Sequence, residues 1–263
     1  MRVPLTLQPA DREVDVVTLG ENSLDFVAVA ADVAPSAGKR PLTSFRIEPG
    51  GQMATAALAC SRLGLRVRYI GAFGDDEWSD RARAPLDDSG IDVVAVRRAG
   101  IPGRIAVIVV DAAGERLVHE HRHPALAVAG NDVPDNAVAG ARILLCDATH
   151  PDASARALAI AREAGTVSVC DVDIVTPEAV ALVSEVDIAI APAPFVTTWA
   201  GTDDLRGAVD RLAAYCHRAA LIVVTRGAEG SVAFCRGEWV ESPGIPVDVV
   251  DTTGAGDAFR AGF

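Results

Sequence analysis

The feature that most constrains this chain is a recurring apolar run rich in β-branched residues. It occurs at 14–20 (VDVVTLG), 67–74 (VRYIGAFG), 141–148 (ARILLCDA), 166–173 (TVSVCDVD), 187–193 (DIAIAPA) and 220–227 (ALIVVTRG). Several of these runs are apolar on successive positions, which suits strands covered on both faces, and such strands belong to parallel sheets. Ala-rich helical patterns lie between them at 53–64, 152–165 and 204–219. Asp152 and Asp204 stand where N-caps are expected, and Gly64 and Gly165 where those helices should stop. Alternating strands and helices predict an α/β fold, a doubly wound, mostly parallel sheet with helices on both faces. With 263 residues, half of them hydrophobic, one large domain of this kind can close its own core.

Two stretches break the rhythm. Residues 23–48 and 93–123 read as strands and turns without a helix, and DAAGE (111–115) is a hairpin signal. Two such insertions can meet in space as a small sheet over one edge of the main domain, and a sheet over an open α/β crevice is a natural lid. The expectation is a single domain over 1–263 with a lid drawn from about 23–48 and 93–123.

Composition removes several function classes. A net charge of −12 argues against a nucleic-acid partner. No run reaches the ~18 apolar residues of a membrane span, and the N-terminus lacks a signal-peptide core, so a soluble, cytoplasmic protein with no membrane partner is expected. Cys60, Cys146, Cys170, Cys216 and Cys235 show no C-x-x-C spacing and are expected as buried, reduced thiols. There is no G-x-x-x-x-G-K-[ST], and the one lysine, Lys39, lies outside any Gly-rich loop, which excludes a P-loop. No clean G-x-G-x-x-G follows a strand either.

The chain ends in DTTGAGDAFRAGF. Gly254, Ala255 and Gly256 let a backbone approach a ligand closely. A helix starting there would present unsatisfied N–H groups and the positive end of its dipole, an anion hole. A carboxylate beside an anion is useful if it accepts a proton, so Asp257 reads as a general base for an attacking hydroxyl, in phosphoryl transfer. The alternative is a Gly-rich turn with Asp257 as a dipole partner. A second stretch, 48–80, places Gly50 and Gly51 before a small-faced helix, and Gly71 and Gly74 ahead of the acidic GDDE, which reads as a solvated turn.

Taken in order, Gly-Gly, the small-faced helix, R-L-G, a strand, G-x-x-G-D-D and the terminal D-T-T-G-A-G-D-A-F resemble the ribokinase (PfkB) family of carbohydrate and nucleoside kinases over essentially the whole chain. The resemblance implies a β lid over a sugar site and transfer of the γ-phosphate of ATP, with Mg²⁺, to a hydroxyl of a small sugar or similar alcohol. It implies Asp257 as catalytic base and Gly254, Ala255 and Gly256 as the anion hole. Asp25, Gly50 and Gly51 then bind substrate, with Thr55 where the family usually has Asn. Thr225 and Gly227, with Gly230 in the same turn, then lie beside the nucleotide. Asp251 and Thr253 match positions that hold a monovalent cation, K⁺, in some members.

Ala193 and Val196 stand where many members carry the Asn and Glu of N-x-x-E, so no side chain at those positions can bind Mg²⁺ or its waters. Thr55 keeps a hydroxyl but loses an amide, so its sugar contact has changed. The A-T pair here resembles a ketose or sulfosugar branch, and a ketose-like or sugar-acid substrate is favoured. The resemblance also implies further chain packed against the adenine, whereas the sequence ends at Phe263.

Arg104, before IAVIVV, could meet an anionic substrate group or lie solvated in a hairpin. Asp147 and Asp171, at strand ends, either face the crevice or serve as structural caps. HEHRH (119–123) is expected as a lid strand rather than a metal site. Three readings stay open: a sugar kinase, a nucleoside kinase on the same scaffold with Phe26 or Phe45 stacking on the base, and a non-catalytic homologue that binds sugar or nucleotide. A homodimer joined through the lid is compatible with the apolar IAVIVV strand.

Overall fold

The computed structural model describes residues 2–31, 39–111, 116–249 and 252–263. In chain order its elements are β1 (Val14–Leu19), β2 (Ser23–Val29), β3 (Ser44–Gly50), α1 (Gln52–Arg62), β4 (Val67–Phe73), α2 (Glu77–Asp88), β5 (Asp92–Arg97), β6 (Ile105–Val110) and β7 (Arg116–His121). They continue with α3 (Asp135–Ala139), β8 (Ala141–Asp147), α4 (Pro151–Ala164), β9 (Val167–Asp171), α5 (Pro177–Glu185), β10 (Ile188–Pro192), α6 (Ala193–Ala200) and α7 (Leu205–Tyr215). The last are β11 (Leu221–Thr225), β12 (Ser231–Cys235), β13 (Glu238–Ser242) and α8 (Ala255–Gly262).

All six apolar runs form strands of one nine-stranded sheet, in the order β13-β12-β11-β10-β9-β8-β1-β4-β5. From β11 to β5 every pairing is parallel, and only β12 runs against the rest, antiparallel to both β11 and β13. Every residue of β4 and β9 is buried, as a strand covered on both faces requires. One face packs Val17, Leu19 and Leu144 beneath α4, α5 and α7 through Leu158, Leu182 and Leu212. The other packs Val16, Tyr69, Phe73 and Leu145 against Met53, Ala57 and Cys60 of α1. All five cysteines are buried free thiols. Among the described residues no helix is long and apolar enough to cross a membrane.

A second sheet, β3-β2-β6-β7, stands apart from the first. Its two faces differ. Phe26 meets Trp78 of α2 edge-on at 5.4 Å and Phe45 at 6.4 Å, which anchors the sheet to the main domain. The opposite face carries Asp25, Val27, Ala106 and Ile108.

Three local expectations need correction. Residues 92–97 do not join the small sheet. They are β5, the parallel edge strand of the large one, because Val93 and Ala95 fill one core face while Val94 and Val96 fill the other. Asp152 is not an N-cap. Pro151 opens α4 after His150, and the Asp152 carboxylate instead accepts the N–H of Gly130 at 2.6 Å. GDDE is more than a solvated turn: Asp75 and Glu77 are exposed, but Asp76 caps α2 by accepting from Ser79 N at 2.9 Å and also holds Gly103 N at 2.9 Å. Asp204 does cap α7, and Gly165 ends α4 in the left-handed conformation. Most of the DAAGE turn lies outside the described residues.

Candidate active site

The carboxyl ends of the parallel strands gather on one edge of the large sheet, where open α/β sheets bind ligands. Here the small sheet and the start of α8 enclose a cleft of 350 Å³. Asp25, Gly50, Gly51, Thr55, Arg104, Thr253, Gly254 and Asp257 all line it. These residues lie up to 232 positions apart in sequence, from 25 to 257, and eight of the predicted site residues meet in one place.

The glycines are needed for identifiable reasons. Gly254 adopts φ 72° and starts α8, whose first i→i−4 bond runs from Ala258 N to the Gly254 carbonyl. The N–H groups of Gly256 and Asp257 precede that bond and point out of the helix end. Gly51 has φ 90°, and a Cβ there would sit 2.5 Å from the Cα of Asn22. Gly50 has ordinary dihedrals, but its Cβ would fall 2.1 Å from Oδ2 of Asp25. The Asp25 carboxylate therefore lies flat against the glycine backbone, held by the Ser23 hydroxyl at 2.6 Å.

Electrostatics separate the carboxylates. Asp257 is half-buried, and desolvation pushes its pKa up to about 6 against the lowering effect of Arg260. Burial also raises Asp25. Asp147 is 1% exposed and pushed up to about 7 by burial. It faces the crevice edge as a tie, since its carboxylate accepts from Glu21 N at 2.8 Å and from Thr149 N at 2.9 Å. Gly20, at the end of β1, makes room for it. Asp171, equally buried, pairs with Arg260 of α8 at 2.7 Å.

Arg104 is not a solvated hairpin residue. Its guanidinium bridges Glu21 at 3.2 Å and Glu120 at 2.5 Å, and Arg122 also pairs with Glu21. In HEHRH the cleft-side group is thus Glu120, whereas His119 and His121 alternate to the other face of β7. Among the described residues no three metal-ligating side chains cluster.

The remaining predicted residues lie elsewhere. Thr225 ends β11, three strands from β8, and Gly227 (φ 58°) and Gly230 (φ 91°) form the turn that follows, outside the cleft. Thr253 accepts from Arg116 at 3.3 Å, and Asp251 lies outside the described residues. Ala193 and Val196 open α6, with Val196 fully buried, so this position offers no magnesium ligand. Glu21, Glu120, Arg122 and Arg260 were not legible as site residues. Each gains its meaning from a partner distant in sequence.

A model of the pfkB family of carbohydrate kinases matches residues 14–263. A fructokinase of Zea mays is 29% identical over 95% of this chain and 81% of its own length. A fructokinase of Klebsiella pneumoniae is 32% identical over 82% of this chain and 75% of its own. An ATP-dependent ribose-1-phosphate kinase of Halopiger xanaduensis is 30% identical over 95% and 83%. Among solved structures, a candidate ribokinase of Agrobacterium tumefaciens superposes with a TM-score of 0.88 at 26% identity, covering 94% of this chain and 82% of that one.

Proposed function

This chain belongs to the pfkB family of carbohydrate kinases, and on that premise we propose that it transfers the γ-phosphoryl group of ATP to a hydroxyl of a small neutral sugar, ketose-like, held between Asp25, Gly50, Gly51 and Asp257. Kinases of this family use ATP and Mg²⁺. The observation that carries the reading is the shared cleft. A base with a pKa near 6 and a partly buried hydrogen-bonding carboxylate line the same 350 Å³, next to a helix start able to receive phosphate.

Asp25 and the backbone at Gly50 and Gly51 orient the polyol. Asp257 accepts the proton of the attacking hydroxyl, and the N–H groups at the start of α8 meet the charge on the phosphoryl oxygens. Movement of the small sheet over the cleft would exclude water as a competing acceptor. A monovalent cation near Thr253 belongs to the same reading, and a K⁺-dependent rate tests it.

Two observations narrow the substrate. The cleft has no aromatic lining among the described residues, since Phe26 packs on Trp78 and Phe45 on Phe26, on the sheet face opposite Asp25. A nucleoside would lack its stacking partner there. Arg104 already carries two carboxylate partners, so a neutral sugar fits without breaking an ion pair, which a sugar acid would have to do. The test is ADP release from Mg-ATP with separate ketoses, aldoses, sugar acids, sugar phosphates and nucleosides, beside Asp257→Asn. Turnover on a neutral sugar, reduced about 10²–10⁴-fold in the variant while sugar binding persists, is expected. Equal turnover by the variant would sink the assignment of the base.

A further inference from the structure

Beneath the cleft lies a buried ion pair that the mechanism above does not use. Arg260 is 8% exposed and Asp171 1% exposed. Their closest approach is 2.7 Å, yet Arg260 Nε and both Asp171 oxygens lack a well-formed hydrogen bond. A buried pair satisfied this incompletely is a weak stabilising device, because an apolar pair of similar size serves folding as well or better. Its geometry points elsewhere. The guanidinium reaches back along α8 until Nη1 stands 4.0 Å from Oδ1 of Asp257. A Cβ on Gly256 would lie 2.5 Å from that same Nη1. Gly256 is therefore small on its inner side as well, to admit a cation under the first turn of α8.

The surroundings show what the cation balances. Asp257 faces Asp173 after β9, Asp147 from β8 and Asp25 from β2. Asp171 lies behind it, and Glu48, Glu21 and Arg104 line the cleft wall. The helix packed along α8, α1, contributes neutral Gln52 and Thr55. Ala193 and Val196 provide no ligand for a metal that could offset these charges.

We propose, on the reading that Asp257 is the base of a phosphoryl transfer, that Arg260 is a positioning residue for that reaction: braced by Asp171, its guanidinium is the fixed counter-charge to Asp257 beneath the anion hole. It lets the base stay ionised beside other carboxylates, and it lets a polyphosphate approach a floor that would otherwise be acidic throughout.

The test compares Asp171→Asn with Asp171→Asn/Arg260→Met. Neither variant leaves a buried carboxylate at 171 unpaired. Aspartate carboxyls are labelled with ¹³C, and the resonance absent from Asp257→Asn is followed through a pH titration. The double variant should titrate at Asp257 about one pH unit or more higher than the single, because an opposite charge at this range lowers a carboxyl by that much. In ADP release, its kcat/KM should fall about five-fold more at pH 6 than at pH 8.5, with an unchanged sugar KM. Should the double variant not fold, Arg260→Lys takes its place and should move the midpoint by less. An unmoved midpoint and pH profile in a folded variant would show Arg260 to be purely structural and overturn the proposal. A wild-type chain silent in ADP release sinks the kinase reading instead, while the titration still reports on the counter-charge.

Discussion

Replacing Gly50 by Ala tests the packing on which the proposed substrate site depends. Gly50 is buried at the end of β3 and has no positive φ, so the backbone accepts alanine without strain. The added methyl nevertheless lands 2.1 Å from Oδ2, 2.5 Å from Cγ and 2.8 Å from Oδ1 of Asp25. To reach ordinary van der Waals contact the carboxylate oxygen must retreat by about 1.3 Å or more. The backbone of β2 cannot follow, because Asp25 is paired across both edges, with Glu48 of β3 and Ala106 of β6. The side chain must rotate away from the Ser23 hydroxyl and from any sugar hydroxyl it holds. A hydrogen bond to a charged group is worth about 1.5–3 kcal/mol, so kcat/KM for the sugar should fall about 10–100-fold. Steady-state ADP release with varied sugar at saturating ATP measures this. Thermal melting of the same sample should show little change, because the clash is relieved by one side chain. An unchanged melting temperature together with kcat/KM within about twofold of wild type would refute the reasoning, since Asp25 would then not be a sugar contact.

Gly51→Ala should behave in the opposite way, losing stability by about 1–3 kcal/mol or more, because φ is 90° and the clash is with the backbone of Asn22; thermal melting checks it. With Asp257 at about 6 in the free protein, kcat/KM should rise with pH through about 6 and level off above, since only the ionised form accepts a proton; the pH–rate profile reads this directly. Asp147 is an acid whose folded pKa is raised to about 7, so its contribution favours folding fully below the unfolded value near 4 and is lost as pH rises toward 7. Asp147→Asn should flatten that part of the melting temperature–pH curve. Because Ala193 and Val196 offer no ligand, the rate should follow the concentration of the Mg-ATP complex as substrate, with no separate saturation in free Mg²⁺.

The parallel sheet was legible because burial on both faces leaves a pattern that composition cannot imitate. All six runs became strands. What escaped was less periodic. The polar helix α2 (EWSDRARAPLDD) buries only Ser79, Ala82 and Leu86 and contains Pro85. The β12–β13 hairpin turns at Arg236 and Gly237, both with positive φ, but CRGE is a quiet turn signal. The cleft lining was legible where the backbone requires glycine, as at Gly50, Gly51 and Gly254, and at Asp257 through the terminal motif. It was not legible where a side chain is defined by its partner. Glu21 carries no motif, yet it joins Arg104 and Arg122. Arg260 directly follows a specific motif, yet its partner is 89 residues earlier.

The two halves of the cleft differ in how their charge is arranged, and that difference follows from the topology. The wall is supplied by the small sheet and the β1–β2 turn, where Arg104 and Arg122 alternate with Glu21 and Glu120 in a neutral ladder. Such a surface binds hydroxyls in many orientations and repels no neutral ligand. The floor is supplied by the carboxyl ends of parallel strands, which deliver Asp147 and Asp171 to one edge as a consequence of register, since β8 and β9 pair those two residues directly. An acidic floor raises a neighbouring carboxylate and disfavours phosphate at the same time. The first effect suits a base that must accept a proton near neutrality; the second must be opposed. Backbone N–H groups at the start of α8 oppose it from above, and Arg260 from below. On the proposed reading, selectivity for the sugar and competence for phosphoryl transfer reside in different elements, and substitutions at Arg104, Arg122, Glu21 or Glu120 should change which alcohol is used more than they alter the pH dependence set by the floor.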